Sequence, residues 1–345
     1  MRIAAILSAR AFEHNPSYQL IFEWEEDLGH DLNIPVLDAK PLHRKMLINR
    51  VTKQITNKLG TDTLASLNKA VEQFSARRRG GLNLVFELYV ATEPNFTTSA
   101  QAVPILVDFW KHTDLAEFYH TYRDCKLILV SSLEALNFLK ENNCPLPIEH
   151  LGLSLSDRYR LEPGVTYIKE YDILLAGRLN IRTNQRLRDY LERFVQQYPN
   201  TEYLYQQEVN GELYYVSNQR GMIGKFQSRE DYVRLLRASK ISFYSTPGLD
   251  GGEKRTGGFN PVTPRYLELL SAQCLLLGRY PDNEETAYYE LKRVCPNIEN
   301  YEEFEQTMLD YLQQKKPGFD VHREILAKHY TSCRTRELTQ LLVKY

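Results

Sequence analysis

The sequence predicts an α/β chain of two Rossmann-like domains, each a parallel sheet layered with helices. Three observations lead there. Short apolar runs alternate with helix-like segments of about ten residues. The alternation stops between Ser154 and Glu170, where polar residues and Pro163-Gly164 interrupt it, and then resumes. A length of 345 residues leaves room for two hydrophobic cores at about 150 residues each.

Arg2 to Ser8 is a short apolar run that suits a buried parallel strand. Asn15 as N-cap and Pro16 at the first helical position open a helix. Leu20, Ile21, Trp24 and Leu28 form its apolar stripe, and Gly29 is expected to end it. Ile34 to Leu37 reads as a strand, and Pro41 opens a long polar helical region reaching about Arg79. Leu82 to Val90, Val103 to Asp108 and Lys126 to Ser131 are strands, with helices over Thr113 to Arg123 and Ser132 to Asn142. In the second half Asp172 to Ala176, Glu202 to Tyr205, Lys240 to Ser245 and Cys274 to Gly278 are strands. Asn184 to Gln197, Ser228 to Ser239 and a segment from Pro264 are helices, and Leu213 to Val216 is an added strand or hairpin. Helices over Tyr301 to Gln313 and His322 to Tyr345 close the chain, the last expected to pack back across the domain boundary. The expected domains are 1–160, 161–320 and a closing segment 321–345.

Composition excludes several classes of function. Lys plus Arg number 43 against 44 Asp plus Glu, a net charge of -1, whereas a general nucleic-acid binder needs a broad basic surface to displace counterions. Hydrophobic content of 43% with 25% charged residues is globular. No apolar run approaches the length of a membrane span, and Met1 to Leu7 leads straight into polar sequence, so a cytoplasmic protein is expected. The five cysteines form no C-x-x-C pair and the eight histidines no H-E-x-x-H, so no metal site is expected.

Candidate chemistry concentrates in Thr246 to Glu268, which starts where a strand ends, contains five glycines and runs into a helix that Thr263 caps and Pro264 starts. Ligands of open α/β sheets bind beyond the carboxyl ends of strands. A helix start with Gly257 and Gly258 before it offers amides and a partial positive charge to a phosphate or diphosphate, and Lys254, Arg255 and Arg265 add cations. A solvated glycine-rich loop before a capped helix fits the same residues. Glu268, one turn into the helix, could accept hydrogen bonds from a ribose diol or lie on the surface. Gly177-Arg178 is a second strand-end turn, with Arg182 and Arg186 at spacings of four. A guanidinium fork suits diphosphate oxygens, while Arg186 and Arg188 read as a solvated basic helix face. Asp108 ends an apolar strand beside Phe109 and Trp110, where a general base would work or a carboxylate could cap a helix. His112 and His120 are weaker candidates. The sequence has no G-x-S-x-G elbow, no P-loop, no G-x-G-x-x-G after the first strand and no Asp-x-Asp.

Three stretches taken in order, Ile173-Leu-Leu-Ala-Gly-Arg-Leu179, Ile223-Gly-Lys225 through Thr246, and Gly258-Phe-Asn-Pro-Val-Thr-Pro-Arg-Tyr-Leu-Glu268 through Gly278, resemble the donor domain of group 1, family 4-like glycosyltransferases of the GT-B fold. The resemblance covers roughly residues 170 to 315. It implies a nucleotide-sugar donor on the second domain, an acceptor on the first, and sheets that face a central cleft. Arg178 matches the Gly-Arg turn whose cation faces the donor diphosphate, and Glu268 matches the second glutamate of the Glu-x7-Glu motif, which binds donor ribose. The helix from Thr263 and Pro264 matches the element aimed at the phosphates. The sequence departs from the family at the first glutamate, which would fall at Asn260 by strict spacing or near Gly257 if the loop carries an insertion, and at the lysine expected after Gly-Arg, for which Lys225 could substitute. Asp108 occupies roughly the region of the family's catalytic His or Asp.

The expected function is metal-independent transfer of a sugar from a nucleotide-diphosphate-sugar to a hydroxyl of a carbohydrate or lipid-linked acceptor, as in cell-surface polysaccharide or glycolipid synthesis. No cofactor and no nucleic acid are expected, and peripheral membrane association is left open. Asp108 is the expected base; Arg178, Lys225, Arg255, Gly257, Gly258 and Thr263 hold the diphosphate, and Glu268 the ribose. The alternatives are a non-catalytic binder of a sugar nucleotide or protein, and a nucleotide-sugar epimerase.

Overall fold

The structure, a computed structural model, describes residues 1–14, 17–39, 81–90, 94, 96, 98–177, 184–225, 228–314 and 318–345. Asn15, Pro16 and the expected helical region from Pro41 to Arg79 lie outside the described residues.

Two six-stranded sheets organise the chain. The first has the order β2-β1-β3-β4-β5-β6 and is parallel throughout. Its strands are β1 (Ile3–Ser8), β2 (Val36–Asp38), β3 (Leu82–Tyr89), β4 (Ala102–Asp108), β5 (Ile128–Val130) and β6 (Ile148–His150). The second has the order β10-β9-β8-β7-β11-β12, from β7 (Tyr171–Leu174), β8 (Tyr203–Val209), β9 (Glu212–Ser217), β10 (Gly221–Lys225), β11 (Ser239–Ser245) and β12 (Leu275–Arg279). Here β7, β8, β11 and β12 are parallel, while β9 and β10 extend the sheet as an antiparallel hairpin.

Helices α1 (Tyr18–Asp31), α2 (Leu115–Tyr122) and α3 (Leu133–Glu141) accompany the first sheet. The second has α4 (Gln185–Gln197), α5 (Arg229–Ala238), α6 (Glu253–Thr256), α7 (Pro264–Ser271), α8 (Glu284–Tyr288), α9 (Tyr301–Gln313) and α10 (Asp320–Leu326), and α11 (Thr331–Lys344) ends the chain. Starts follow local chemistry: Asp114, Ser132, Ser228 and Asn300 each accept a hydrogen bond from the amide three residues on.

The chain divides into one unit of Met1–Asp157 with Thr331–Tyr345 and another of Arg158–Tyr330. The single helix expected over His322 to Tyr345 is therefore two. No Gly or Pro marks the break; packing makes it. In the second unit His329 stacks on Tyr289 with centroids 4.7 Å apart, and the Tyr330 hydroxyl accepts the Leu161 amide at 2.9 Å. In the first unit α11 is held by Arg334, 2% exposed, which donates to the Gly152 and Leu153 carbonyls, and by Ser332, which bonds Asp157.

One face of the first sheet packs Ile6, Leu84, Phe86, Ile105 and Leu129 against Ile21, Trp24 and Leu28 of α1 and Leu338 and Leu342 of α11. The second sheet packs Ile173, Ile241, Phe243 and Leu277 against Leu187, Leu191 and Phe194 of α4 and Phe304 and Met308 of α9. Each such side chain contributes about 1.5–3 kcal/mol on burial.

Gly29 does not end α1; the helix runs to Asp31, and Asn33 takes the left-handed conformation beyond it. A Cβ on Gly29 would lie 2.9 Å from Val36 Cγ2 and 3.3 Å from the Ile34 carbonyl, so this glycine serves the approach of helix to strand. Gly29→Ala gains about 1 kcal/mol of helix propensity but overpacks at a cost of about 1–3 kcal/mol. The expected result is a net loss of about 1 kcal/mol in chemical denaturation.

Glu25 of α1 is 1% exposed, and burial raises its pKa from the ordinary 4.5 to about 8, although the Ser8 hydroxyl and the Arg10 charge pull it down. A carboxyl raised on folding stabilises fully below its unfolded value and loses that stability as pH climbs through the folded one. Melting temperature should therefore fall between pH 4.5 and about pH 8, and Glu25→Gln should flatten that fall and melt higher than wild type at pH 8.

Candidate functional site

In the second sheet the chain leaves β7 toward β8 on one side and returns to β11 on the other, so the order reverses between β7 and β11. That reversal opens a crevice at the carboxyl ends, where open α/β sheets bind ligands. Three arginines gather around it.

Arg265 is the second residue of α7 and donates from Nη1 to the Ala176 carbonyl, 3.1 Å away at the end of β7. Gly177 has φ 106°, and a Cβ there would come within 2.6 Å of the same Nη1. Burial works against the Arg265 charge, but Tyr232 and Glu268 outweigh it through charge and a hydrogen bond to Tyr232, leaving the pKa raised.

Arg188 lies in the first turn of α4 at 8% exposure. Its pKa is lowered by burial first and by the charge of Arg265 second, so the two guanidiniums repel each other. The expected solvated basic face holds for Arg186, which is exposed, and fails for Arg188. Helical phase carried the signal: Leu187, Leu191 and Phe194 are the buried stripe of α4, and Arg188 borders it.

Arg229 opens α5 and forms an ion pair with Glu268, the two side chains 12% and 5% exposed. Its guanidinium also lies over the rings of Tyr159 and Tyr232, each 5.5 Å away. Among the described residues the charges coupled around Arg265 are thus three guanidiniums against one carboxylate, a local excess of positive charge.

Arg178, the next residue after Gly177, lies outside the described residues. Glu268 is turned to Arg229. Gly257 and Gly258 both have positive φ, but their amides bond within the loop, to the Glu253 carbonyl at 2.8 Å and to Thr256 Oγ1 at 3.2 Å. Asn260, one of the two places where the resemblance expects a glutamate, ties the loop together: its Oδ1 accepts from Thr246 Oγ1 at 2.7 Å and from the Gly248 amide at 3.1 Å, and its Nδ2 donates to the Gly258 carbonyl at 2.8 Å.

Thr263 precedes α7 without a side-chain cap, and its amide donates to the Tyr244 hydroxyl at 2.9 Å. The neighbouring Val262 amide donates to Glu285 at 3.1 Å. The expected cradle of loop amides is therefore turned inward, and guanidiniums present the positive charge instead. Arg255 is exposed on α6.

Lys225 is removed from the crevice. Register along the hairpin brings it level with Gly177, but three strands away, about 14 Å at the usual spacing, and it pairs with Glu212. Asp108 belongs to the other unit, at the end of β4 opposite Tyr89. Among the described residues no cluster of His, Cys, Asp and Glu is arranged to hold a metal ion, and no helix is long and apolar enough to cross a membrane.

No protein-family profile and no curated protein matches the chain. Solved structures do. Sucrose-phosphate synthase from Thermosynechococcus elongatus aligns at 9% identity over 90% of this chain and 82% of that one, with a TM-score of 0.50. The pneumococcal O-GlcNAc transferase GtfA, in complex with UDP and GlcNAc, aligns at 10% identity and TM-score 0.47 over 80% of this chain. This chain spans only 60% of that protein's length. UDP-GlcNAc 2-epimerase from Methanocaldococcus jannaschii aligns at 11% identity over 99% of this chain and 100% of that one, with a TM-score of 0.45. The likeness to sucrose-phosphate synthase is one of fold, two Rossmann-like α/β units each built on a largely parallel sheet.

The Arg229–Glu268 pair gives a direct test of the buried electrostatics. Arg229→Ala should cost about 3 kcal/mol in denaturant unfolding, because it leaves a buried carboxylate unpaired. The double change Arg229→Met with Glu268→Leu should recover most of that loss.

Proposed function

We propose that the chain is a glycosyltransferase of the group 1, family 4-like kind, which moves a sugar from a nucleotide-diphosphate-sugar to a hydroxyl acceptor with the donor held on the second unit. The observation that carries this reading is the seating of Arg265 on the Ala176 carbonyl beside side-chain-free Gly177, with the Arg229–Glu268 pair next to it, at the carboxyl edge between β7 and β11. A fixed guanidinium fork at a ligand edge suits an anion with charge spread over several oxygens, and a diphosphate is such an anion.

Departure of the nucleoside diphosphate is the costly event in glycosyl transfer, since negative charge grows on the leaving oxygen. Guanidiniums already fixed in place stabilise that charge without reorganising. Arg265 is held by the Ala176 carbonyl and Tyr232. Arg178, next in sequence to Gly177, is the natural further ligand. Glu268 serves by holding Arg229, and its ribose role requires a carboxylate oxygen turned away from that pair. Uridine diphosphate in the GtfA and epimerase complexes makes it the first ligand to test.

A sugar-nucleotide epimerase would need the same anion site. The two activities differ in product: transfer releases nucleoside diphosphate, and epimerisation returns a sugar nucleotide.

Calorimetry with UDP in excess EDTA tests the site. Wild type is expected to bind with the chelator present. Arg265→Ala should lose about 1.5–3 kcal/mol, a factor of roughly 10 to 150 in affinity, while Arg186→Ala, an exposed change on α4, should bind as wild type. Unchanged affinity in Arg265→Ala, or no binding across UDP, GDP, ADP and dTDP, removes the reading.

A further inference from the structure

Helix α7 is buried from Tyr266 through Ser271, on every side, so Glu268 carries its carboxylate into the interior of the second unit. A carboxylate persists there only where opposite charge and hydrogen bonds replace its water. Arg229 supplies the charge in a direct ion pair. Arg265, three residues back on the same helix face, attracts it as well.

Aromatic rings line the pair. Tyr232, one turn along α5 from Arg229, hydrogen-bonds Arg265 and lies within the fields of both Glu268 and Arg229. Tyr159 adds a second ring over the Arg229 guanidinium. The third comes from the hairpin: Tyr215 of β9 is buried within range of the Glu268 charge, and its hydroxyl accepts from Gln206 Nε2 at 3.1 Å. The antiparallel strands, where this sheet departs from a parallel order, thus help to enclose the carboxylate.

A ribose hydroxyl is recognised by a group that accepts its proton. Guanidiniums donate and do not accept, so the carboxylate of this cluster is the group suited to the task, and it is engaged. Withdrawing one partner of a buried ion pair costs more than a hydrogen bond to a charged group returns, so the balance keeps Glu268 on Arg229. A site that bonds a substrate hydroxyl with a buried group rejects the analogue lacking it because that group is then left unpaired. Here Arg229 satisfies Glu268 whether the hydroxyl is present or not.

We infer that the donor is gripped at its diphosphate while its ribose 2′-hydroxyl goes unread, so that 2′-deoxyribonucleoside diphosphate sugars are accepted beside ribonucleoside ones. The inference rests on the glycosyltransferase reading above and extends its donor class. Glu268 then acts on the site as a positioning residue, through the charge it sustains on Arg265.

The test is calorimetry of UDP and 2′-deoxy-UDP on the full chain, in wild type and in Glu268→Gln, with EDTA in excess. The two ligands share base and diphosphate, so the ratio of their affinities isolates the hydroxyl and cancels any effect of the substitution on folding or on the diphosphate contacts. A hydrogen bond from the hydroxyl to a carboxylate is worth about tenfold or more. Wild type should therefore prefer UDP by less than about tenfold.

A larger preference overturns the inference. If Glu268→Gln abolishes that preference, Glu268 is the ribose ligand; if Glu268→Gln keeps it, another group reads the hydroxyl. Both results leave the nucleotide site standing. Failure of both ligands to bind overturns the inference and, when GDP and ADP fail as well, the reading beneath it.

Discussion

Arg265 reaches the end of β7 because residue 177 has no side chain. With a Cβ in place, Nη1 would be pushed from the Ala176 carbonyl, and the cation would lose the contact that orients it over the sheet edge. The remaining features of that edge depend on this placement. Tyr232 and Glu268 keep Arg265 charged from behind, and Arg229 in turn neutralises Glu268. Burial first and the Arg265 charge second lower the pKa of Arg188. Two helices that follow neighbouring strands thus deliver side chains to one point, which is the geometric consequence of a reversal in strand order.

The parallel strands were legible because both faces are covered, so each reads as an unbroken apolar run: Ile3–Ser8, Ala102–Asp108 and Leu275–Arg279 are of this kind. The strands without that signature were missed. Ile148–His150 is three residues long, and Gly221–Lys225 contains two glycines and lies at a sheet edge. The misplaced stop at Gly29 and the unseen break after Leu326 share one cause: each depends on what the segment packs against. The same holds for the site. Arg188 was read as solvated although it borders the phase of Leu187 and Leu191, and nothing near Arg229 in sequence announces Glu268, which the fold brings to it.

Residues 246–263 show how a motif can keep its outline while its chemistry moves. The glycines suggest amides aimed at phosphate, yet Asn260 gathers Thr246, Gly248 and Gly258 around its own amide group. Gly248 is needed because a Cβ there would lie 2.2 Å from the Phe259 carbonyl oxygen. A glutamate at position 260 could not reproduce this knot, since an ionised carboxylate has no donor for the Gly258 carbonyl. Asparagine at that position therefore fits a loop braced from within.

A net charge of -1 over the chain conceals a division of chemistry between the two sheets. At the reversal in the second, among the described residues, buried guanidiniums outnumber the carboxylate that accompanies them. At the reversal in the first, Glu87 is joined by Glu13 and Asp108, and Glu25 lies across the sheet beside Ser8. Placed on one sheet edge, groups of opposite charge pair and neutralise each other, as Arg229 and Glu268 do. In the first sheet no such pairing among the described residues offsets burial at Glu87, and desolvation with the charge of Glu13 raises its pKa to about 8.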